Sequence, residues 1–454
     1  MNMEHAAQIL ASVIAVTTAG LAAAPTRATE TGSAAPVHRI VLPGGTVLLV
    51  EQIPGSPTVG LQAVFPGGTR AEDDGSCGIH ALLARLLGAT ARPGDLSPSE
   101  PPAGSPAWLR GFSGSSSFGL AAEFPRERWR EGLVLAAESL SPPLGEREVQ
   151  RERDELLSAI RKREEDPDAA ALDAFLGALY RAHPYRLPAL GRMSAVADLR
   201  APRLREFYAR AARPERLVVA VVGDLDPAAV AEAFRPRLPT APKTAPAPPP
   251  AVPLEPPPDA ARVRAVARAI PRTSLVVGFA GLTVRDAGRG ALGLAQALLE
   301  GPEGRLALRL RAAGIDAAGL GLLRLDGIEP GFFAVAASVA PGQAELAART
   351  ILATLRELAE APPPAEELAR AREQVLSAEN EARRRAPARA AELAYRELFG
   401  LADGAGDGSD AGSSRITAED ISRLARRLFV DSAPVIATVG PDASLPPRAA
   451  GKRP

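Results

Sequence analysis

Apolar runs divide the first half of the chain into a sequence of strands and helices. Residues 39–52 hold two β-rich runs around a Pro-Gly-Gly turn, the pattern of a hairpin, and residues 58–68 predict a further strand. Residues 215–226 predict an apolar strand that ends in a Gly-Asp turn, and Asp226-Pro227 begins a capped helix. Helical patterns lie between these strands in the ranges 76–89, 126–140, 145–164 and 168–181. Together these elements predict one α/β unit.

The second half of the chain opens again with strands, at residues 262–270 and 273–282. It closes with a strand at residues 433–442. The helical patterns between them lie near 286–300, 302–313, 343–360, 364–397 and 417–428.

Two pairs of segments indicate that the halves are repeats. Residues 204–224 align with residues 421–441, since both contain a helix, a short break and an apolar strand that ends in Val-Gly. Upstream, residues 171–180 resemble residues 391–400. The two pairs have nearly the same separation and the same order, which a duplicated unit explains.

A proline-rich segment, residues 241–258, separates the two repeats. Its composition predicts an extended, semi-rigid linker, which we expect to act as a hinge. The predicted domains are therefore an N-terminal domain at 36–240 and a C-terminal domain at 259–442, with a tail at 443–454.

The N-terminus has the character of a signal segment, within residues 1–25. Its apolar run, residues 9–24, is short for a membrane span and ends in small residues that suit signal peptidase. The leader before it carries no Lys or Arg, which is atypical. We expect a periplasmic or secreted protein, with no transmembrane span in the mature chain.

Composition excludes several classes of protein. The 53 basic residues are balanced by 53 acidic residues, which argues against nucleic-acid binding. The single cysteine, Cys77, excludes an intrachain disulfide framework and a Cys-cluster metal site. Cys77, His80 and His183 are each expected to be structural residues.

Four segments carry motifs in a fixed order. Residues 66–90 hold a Gly-Gly-Thr-Arg turn and a helix, and residues 151–185 hold a charged helix, a second helix and a His-Pro-Tyr loop. Residues 190–227 lead through a helix into the Val-Gly strand, and residues 301–315 hold a Gly-Arg-Leu helix with a Leu-Arg turn. In order and spacing the chain resembles the insulinase/pitrilysin family of inverted zinc peptidases, in its mitochondrial-processing-peptidase-like branch, over about residues 36–442.

The resemblance implies a zinc site whose ligands this sequence does not keep. In the family, H-x-x-E-H on a helix supplies two zinc ligands and the general base, and a later helix supplies a carboxylate ligand. The first His position falls on Ala81, the base on Ala84 and the second His on Arg85. The distal ligand falls on Ala159. We interpret these as vestigial positions.

A shift of one residue does not restore the site. With His80 as the first ligand, the base position becomes Leu83 and the second ligand becomes Ala84. Arg85 would also place a fixed cation beside any divalent ion. We therefore predict no catalytic residue, no metal ligand and no bound cofactor, although active relatives carry zinc.

The family also uses an Arg–Tyr pair that grips the peptide backbone. Arg311 occupies the Arg position and is a candidate substrate-binding residue, with a helix-surface ion pair as the other interpretation. The Tyr position falls near Ala317, so at most half of the pair is kept. Residues 91–117, a regular helix and a strand in active relatives, are interrupted here by prolines and glycines.

The resemblance implies an α+β fold with two homologous domains, each a mostly antiparallel sheet with helices on one face, forming half of a clamshell. The leading hypothesis is a non-catalytic subunit that forms a heterodimer with a zinc-bearing peptidase homologue and closes a peptide-degrading or processing chamber. A scaffolding subunit without peptide binding is the second hypothesis. A zinc metalloendopeptidase with a rearranged site is the third.

Overall fold

The structure is a computed structural model that describes residues 36–89, 107–238, 252–401 and 414–441. The signal-like segment, the tail and most of the proline-rich linker lie outside these residues. Among the residues described, no helix combines the length and apolar character needed to cross a membrane.

The predicted strands and helices are present in the predicted order, together with elements that the sequence did not indicate. The strands are β1 Val37–Val41, β2 Val47–Gln52, β3 Thr58–Pro66, β4 Trp108–Ser113, β5 Ser117–Pro125, β6 Val218–Gly223, β7 Arg262–Ala267, β8 Thr273–Ala280, β9 Ala318–Leu325, β10 Phe332–Val339 and β11 Val435–Gly440. The helices are α1 Ile79–Gly88, α2 Trp129–Ser139, α3 Glu146–Glu165, α4 Pro167–Leu179, α5 Met193–Ala197, α6 Ala201–Ala211, α7 Pro227–Phe234, α8 Arg289–Leu299, α9 Arg305–Ala312, α10 Ala344–Glu360, α11 Ala365–Arg384, α12 Ala386–Leu398 and α13 Ala418–Ala425.

Two sheets that share the same topology, apart from the additional edge strand β1 in the first, confirm the duplicated α+β fold. The first has the order β1-β2-β6-β3-β5-β4 and the second the order β7-β11-β8-β10-β9. In each, the strand that closes the unit (β6 or β11) pairs parallel with one neighbour and antiparallel with the other, and the remaining pairs are antiparallel. The segments aligned by sequence are equivalent elements: α6 and β6 match α13 and β11, and α4 matches α12.

The core of each half lies between its sheet and its own helices, as predicted. In the N-terminal half, one face of the sheet packs against α2 and α7 around Phe118, Phe124 and Phe234. In the C-terminal half, one face packs against α8, α10 and α13 around Phe279, Phe333 and Phe429. Few aromatic rings are available, so Leu, Val and Ala fill most of the remaining space.

The second face of each sheet is covered by one helix from the other half. Helix α4 of the N-terminal half packs on β8 and β11 through an apolar face that includes Leu172, Phe175 and Leu176. Helix α12 of the C-terminal half packs on β3 and β6 through a face that includes Leu393 and Tyr395. The sequence did not indicate this exchange, since helices were expected on one face only.

Polar contacts fix both exchanged helices in place. Ser274 of β8 donates a hydrogen bond to Asp168 at the start of α4, at 2.5 Å. The Arg262 guanidinium donates to the carbonyl oxygens at the end of α4, where cations are favourable. On the other side, Arg389 of α12 forms a 2.6 Å ion pair with Glu51 of β2, and both side chains are largely buried.

Reciprocal packing of this kind argues against a hinge at the linker. Moving the halves apart would uncover the apolar faces of α4 and α12 together with the sheet faces beneath them. Each fully buried Leu or Phe contributes about 1.5–3 kcal/mol, and α4 alone buries several. The two halves therefore behave as one interlocked body.

Two expectations from the sequence differ from the structure. The single helix predicted at 364–397 is two helices, because Pro387 cannot donate to the preceding turn and Arg385 leaves the helical conformation. Strands β4, β5, β9 and β10 were not predicted. The β9 sequence contains two glycines, which weaken a strand pattern.

The His-Pro-Tyr loop lies at the junction of the two halves. The Tyr185 hydroxyl lies 2.8 Å from the Ser116 hydroxyl and accepts the backbone N–H of Ile328 at 3.2 Å. Arg70 donates two hydrogen bonds to Glu329, at 2.7 and 2.5 Å. The loop between β9 and β10 is thereby tied to the N-terminal half.

Buried His183 occupies the centre of this junction. Its Nδ1 accepts the backbone N–H of Tyr185 at 3.1 Å, so the neutral ring carries its hydrogen on Nε2, 3.5 Å from Glu329. Burial lowers the pKa of His183, an effect that the Glu329 charge opposes only in part. Burial raises the pKa of Glu329, but hydrogen bonding and the charge of Arg70 outweigh it and the pKa is lowered overall.

We predict that Gly60→Ala weakens the contact between the halves. A methyl group at Gly60 of β3 would lie 2.2 Å from the backbone carbon of Ala386, at the start of α12. Overpacking of this kind costs about 1–3 kcal/mol or more, measurable as a lower free energy of unfolding in urea. The matched control is Gly177→Ala on the exposed side of α4, where no atom lies within 4 Å; it should stabilise by about 0.5–1 kcal/mol. Equal effects of the two substitutions would contradict the exchange of helices.

We also predict that the junction loses stability in mild acid. Because the folded pKa of His183 lies below its usual 6.5, the unfolded chain takes up this proton first, and stability falls as the pH drops below about 6.5. Glu329 acts in a lower window, since its folded pKa lies below 4.5. His183→Asn keeps an acceptor for the Tyr185 N–H but does not titrate. Melting temperatures between pH 7 and pH 5 should therefore fall less steeply in the variant, and parallel curves would refute this role.

Candidate functional site

Helix α1, which holds three of the four positions that the resemblance assigns to the zinc site, packs directly on the edge strand β4. The Ala84 carbonyl oxygen would lie 1.7 Å from a methyl group on Gly111, so only glycine permits this approach. Another face of α1 packs against α3 and α6, with Leu82, Leu83 and Leu156 in the shared apolar cluster. The structure thus brings together the two helices to which the resemblance assigns the zinc ligands.

At the four positions assigned to the zinc site, three side chains are the methyl groups of alanines and the fourth is the guanidinium cation of Arg85. Ala81 and Ala84 are buried in α1, and Ala159 is half-buried on α3. Arg85 extends towards α3, where its Nε lies 3.2 Å from a carboxylate oxygen of Glu152. The guanidinium of Arg85 is therefore paired with a carboxylate of α3.

These residues do not fit a zinc ion. Catalytic zinc usually takes three protein ligands. Among the residues that the structure describes, no three His, Cys, Asp or Glu side chains come together in a way that could hold a metal. Arg85 would also repel a divalent ion at this place.

His80, one residue before the first assigned position, is held as a structural residue. Its side chain is 1% exposed, and its Nδ1 lies 3.0 Å from Glu72. Glu72 also accepts the backbone N–H groups of Gly78 and His80, at 2.8 and 2.9 Å, and so caps the start of α1. With Nδ1 donating, Nε2 faces Gly67, where a methyl group would lie 2.7 Å away.

Glu72 is a residue that sequence reasoning missed. The sequence gave little indication of its role, since a carboxylate seven residues before a helix is not a usual capping position. The clue available was that Gly78, at the N-cap, supplies no side chain of its own to satisfy the first N–H groups of α1.

Cys77 has the properties of a packed apolar residue. It is fully buried with Leu187 and Ala195. Burial raises the pKa of its thiol to about 12, so almost no thiolate is present at neutral pH. This environment does not support a nucleophile.

The predicted substrate-binding residue Arg311 lies exposed on α9. Its Nη2 donates to the carbonyl oxygen of Pro302, at 3.1 Å, within the turn that precedes the helix. Ala317 is partly buried against the core of the C-terminal half. The position of Arg311 is compatible with either interpretation of this residue.

A crevice between the halves adds a second candidate region. It contains about 430 Å³ of space, part of it open to solvent. Its walls combine apolar side chains of α4 and the C-terminal sheet, including Leu176 and Phe332, with the ion pair between Arg163 and Asp173. The lining offers contacts for an apolar side chain rather than a reactive group.

Comparison with known proteins identifies the fold and matches part of the sequence to a known family. The family model described as "Peptidase M16 inactive domain" matches residues 198–375. An uncharacterized zinc protease of Mycobacterium leprae is 42% identical over 79 residues, which is 17% of this chain and 18% of that protein. The chain therefore matches less than a fifth of the length of this relative.

Solved structures share the fold over nearly the whole chain. A protease from Helicobacter pylori has a TM-score of 0.81 at 19% identity, covering 90% of this chain and 100% of that one. A peptidase M16 inactive domain from Pseudomonas fluorescens has a TM-score of 0.76 at 19% identity, covering 89% and 98%. Complex III2 from Candida albicans contains a chain with a TM-score of 0.73 at 18% identity, covering 89% and 96%.

At these identities the solved structures show the fold alone, whereas the domain match and the zinc-protease relative connect the sequence itself to the family. Residues 198–375 therefore match the M16 peptidase family, the insulinase/pitrilysin type that the chain resembles.

Proposed function

We propose that the chain is a non-catalytic subunit that pairs with a zinc-bearing relative to form a peptide-degrading or processing chamber. The observation that carries this proposal is that the fold of the peptidases is kept while the residues assigned to the zinc site are not. The peptidase fold is kept over nearly the whole chain, while the assigned ligand positions hold Ala81, Ala84, Arg85 and Ala159. A family member without ligands needs a second chain to supply the chemistry.

Interlocking of the two halves supports pairing rather than opening of a single chain. Because α4 and α12 are exchanged, the halves cannot separate to admit a peptide without exposing apolar faces. A chamber large enough for a peptide would then lie between this chain and another one. The crevice beside Leu176 and Phe332 is far too small to be such a chamber.

A scaffolding role is the second candidate, and one observation favours it. The chain in Candida albicans complex III2 has the same fold. In that role the chain would hold neighbouring subunits and bind no peptide. Calorimetry with mixed peptides and the isolated chain separates the two roles.

The location that we propose is the periplasm or the outside of the cell. It rests on the signal-like residues 1–25, which lie outside the described residues. N-terminal sequencing of the protein from its native cells would identify the cleavage site, and an uncleaved protein would refute it.

Reconstitution with a zinc-bearing M16 relative from the same organism tests the proposal. We predict that the two chains co-purify, that the pair cleaves a fluorogenic peptide faster than the relative alone, and that this chain alone contains no stoichiometric zinc. The matched control is the pair in which the Glu of the relative's H-x-x-E-H motif is changed to Gln, which should be inactive. Identical cleavage with and without this chain would refute the pairing, and stoichiometric zinc with cleavage by this chain alone would revive the rearranged-site enzyme.

A further inference from the structure

The described end of the linker, residues 252–258, is a segment with little conformational freedom. Four of its seven residues are prolines. Proline fixes its own φ at about −65° and restricts the residue before it to extended conformations, so Leu254 is the only residue of the segment under neither restriction. Such a sequence favours a polyproline II helix, which has about three residues per turn.

Burial along this segment repeats every third residue, as a polyproline II helix with one edge against the protein requires. The residues that contact the protein are half-buried or buried: Val252, Glu255 and Pro258. The residues between them are exposed: Pro253, Leu254, Pro256 and Pro257. Two of the three edges of the helix therefore face solvent, one formed by Pro253 and Pro256 and the other by Leu254 and Pro257.

Glu255 anchors the segment to the loop that follows α4. Its carboxylate accepts the backbone N–H groups of three consecutive residues, Arg181 at 2.5 Å and both Ala182 and His183 at 2.9 Å. Consecutive N–H groups that converge in this way bind an anion. Burial raises the pKa of Glu255, but these hydrogen bonds outweigh it and the pKa is lowered overall. The carboxylate is therefore charged at neutral pH, and charge-assisted hydrogen bonds hold the inner edge of the helix in place.

Leu254 is held away from the surface by this arrangement. Its side chain is 85% exposed, whereas the other exposed large apolar side chains of the described residues reach at most 58%. The anchored Glu255 follows it directly, so Leu254 cannot turn inwards without breaking the hydrogen bonds of that carboxylate. Leu254 can therefore bury its side chain only against another molecule.

The two exposed edges fit a groove lined by aromatic side chains. Grooves of this kind bind the proline edges of polyproline II segments, and a segment that is already extended loses little conformational entropy on binding. A second copy of this chain does not offer such a groove. Among the described residues every aromatic side chain is buried or half-buried, and the rings of Trp108 and Trp129 each have an Arg guanidinium over them.

We propose that the segment Pro253–Pro257 is a docking ligand for another protein that presents an aromatic-lined groove. The groove receives the edge formed by Pro253 and Pro256 and the edge formed by Leu254 and Pro257, while Glu255 keeps the third edge on this chain. The proposal goes beyond the proposed function and does not depend on it, because neither pairing with a peptidase nor cleavage of peptides enters the argument.

Calorimetric titration of the full chain tests this assignment. The probes are three isolated domains with aromatic-lined grooves, an SH3, a WW and an EVH1 domain, and at least one of them should bind saturably. Leu254→Ala and Pro256→Ala each change one exposed edge. Each should weaken the binding about tenfold, the scale of a contact that carries binding energy. Both side chains are exposed, so the variants should fold as the native chain does.

The matched control is Leu346→Ala, an exposed leucine on α10, which should leave the binding unchanged. Absence of binding to all three domains, binding that both linker variants retain, or equal weakening by the control would overturn the assignment. Self-association of the chain that is lost in Leu254→Ala, measured by sedimentation velocity, would assign the segment to a second copy and would also overturn it.

Discussion

Coverage of the second face of each sheet is the constraint on which the structure depends. A sheet whose two faces are both apolar must be covered on both, and here the second cover comes from the other half of the chain. The exchange of α4 and α12 places the His-Pro-Tyr loop, which follows α4, at the junction. It also packs each half of the chain against the sheet of the other half.

The packing of α1 explains how the fold can be kept while the metal ligands are absent. The helix is positioned by backbone contact with Gly111, by the Glu72 cap and by its leucines. None of these contacts uses Ala81, Ala84 or Arg85 as a ligand. The scaffold therefore does not depend on metal ligands at these positions, and the Arg85–Glu152 ion pair links α1 and α3 directly.

Much of the fold could be predicted from the sequence because it is repeated. In the structure, the two aligned pairs of segments are α6–β6 with α13–β11 and α4 with α12. Sequence similarity alone therefore indicated the repeat correctly. The exchange itself could not be predicted, because an apolar face on α4 shows that the helix is buried but not which sheet it covers. Strand β9 was missed since its glycines weaken the strand pattern, and the break before Pro387 was missed although proline marked it. For the candidate site, the sequence supplied the assigned positions by resemblance, whereas the role of Glu72 could not be predicted because it caps a helix that begins seven residues later.

The most direct test of the account is the distance distribution between spin labels placed on the two halves. Exposed positions on α2 and α10, in the variants Glu131→Cys and Arg349→Cys, can be labelled together, since the single native cysteine, Cys77, is buried and should not react. Double electron–electron resonance on this doubly labelled chain should give one narrow distribution that does not change when peptide is added. A second population at longer distance, or a shift with peptide, would show that the halves open and would contradict the interlocked body.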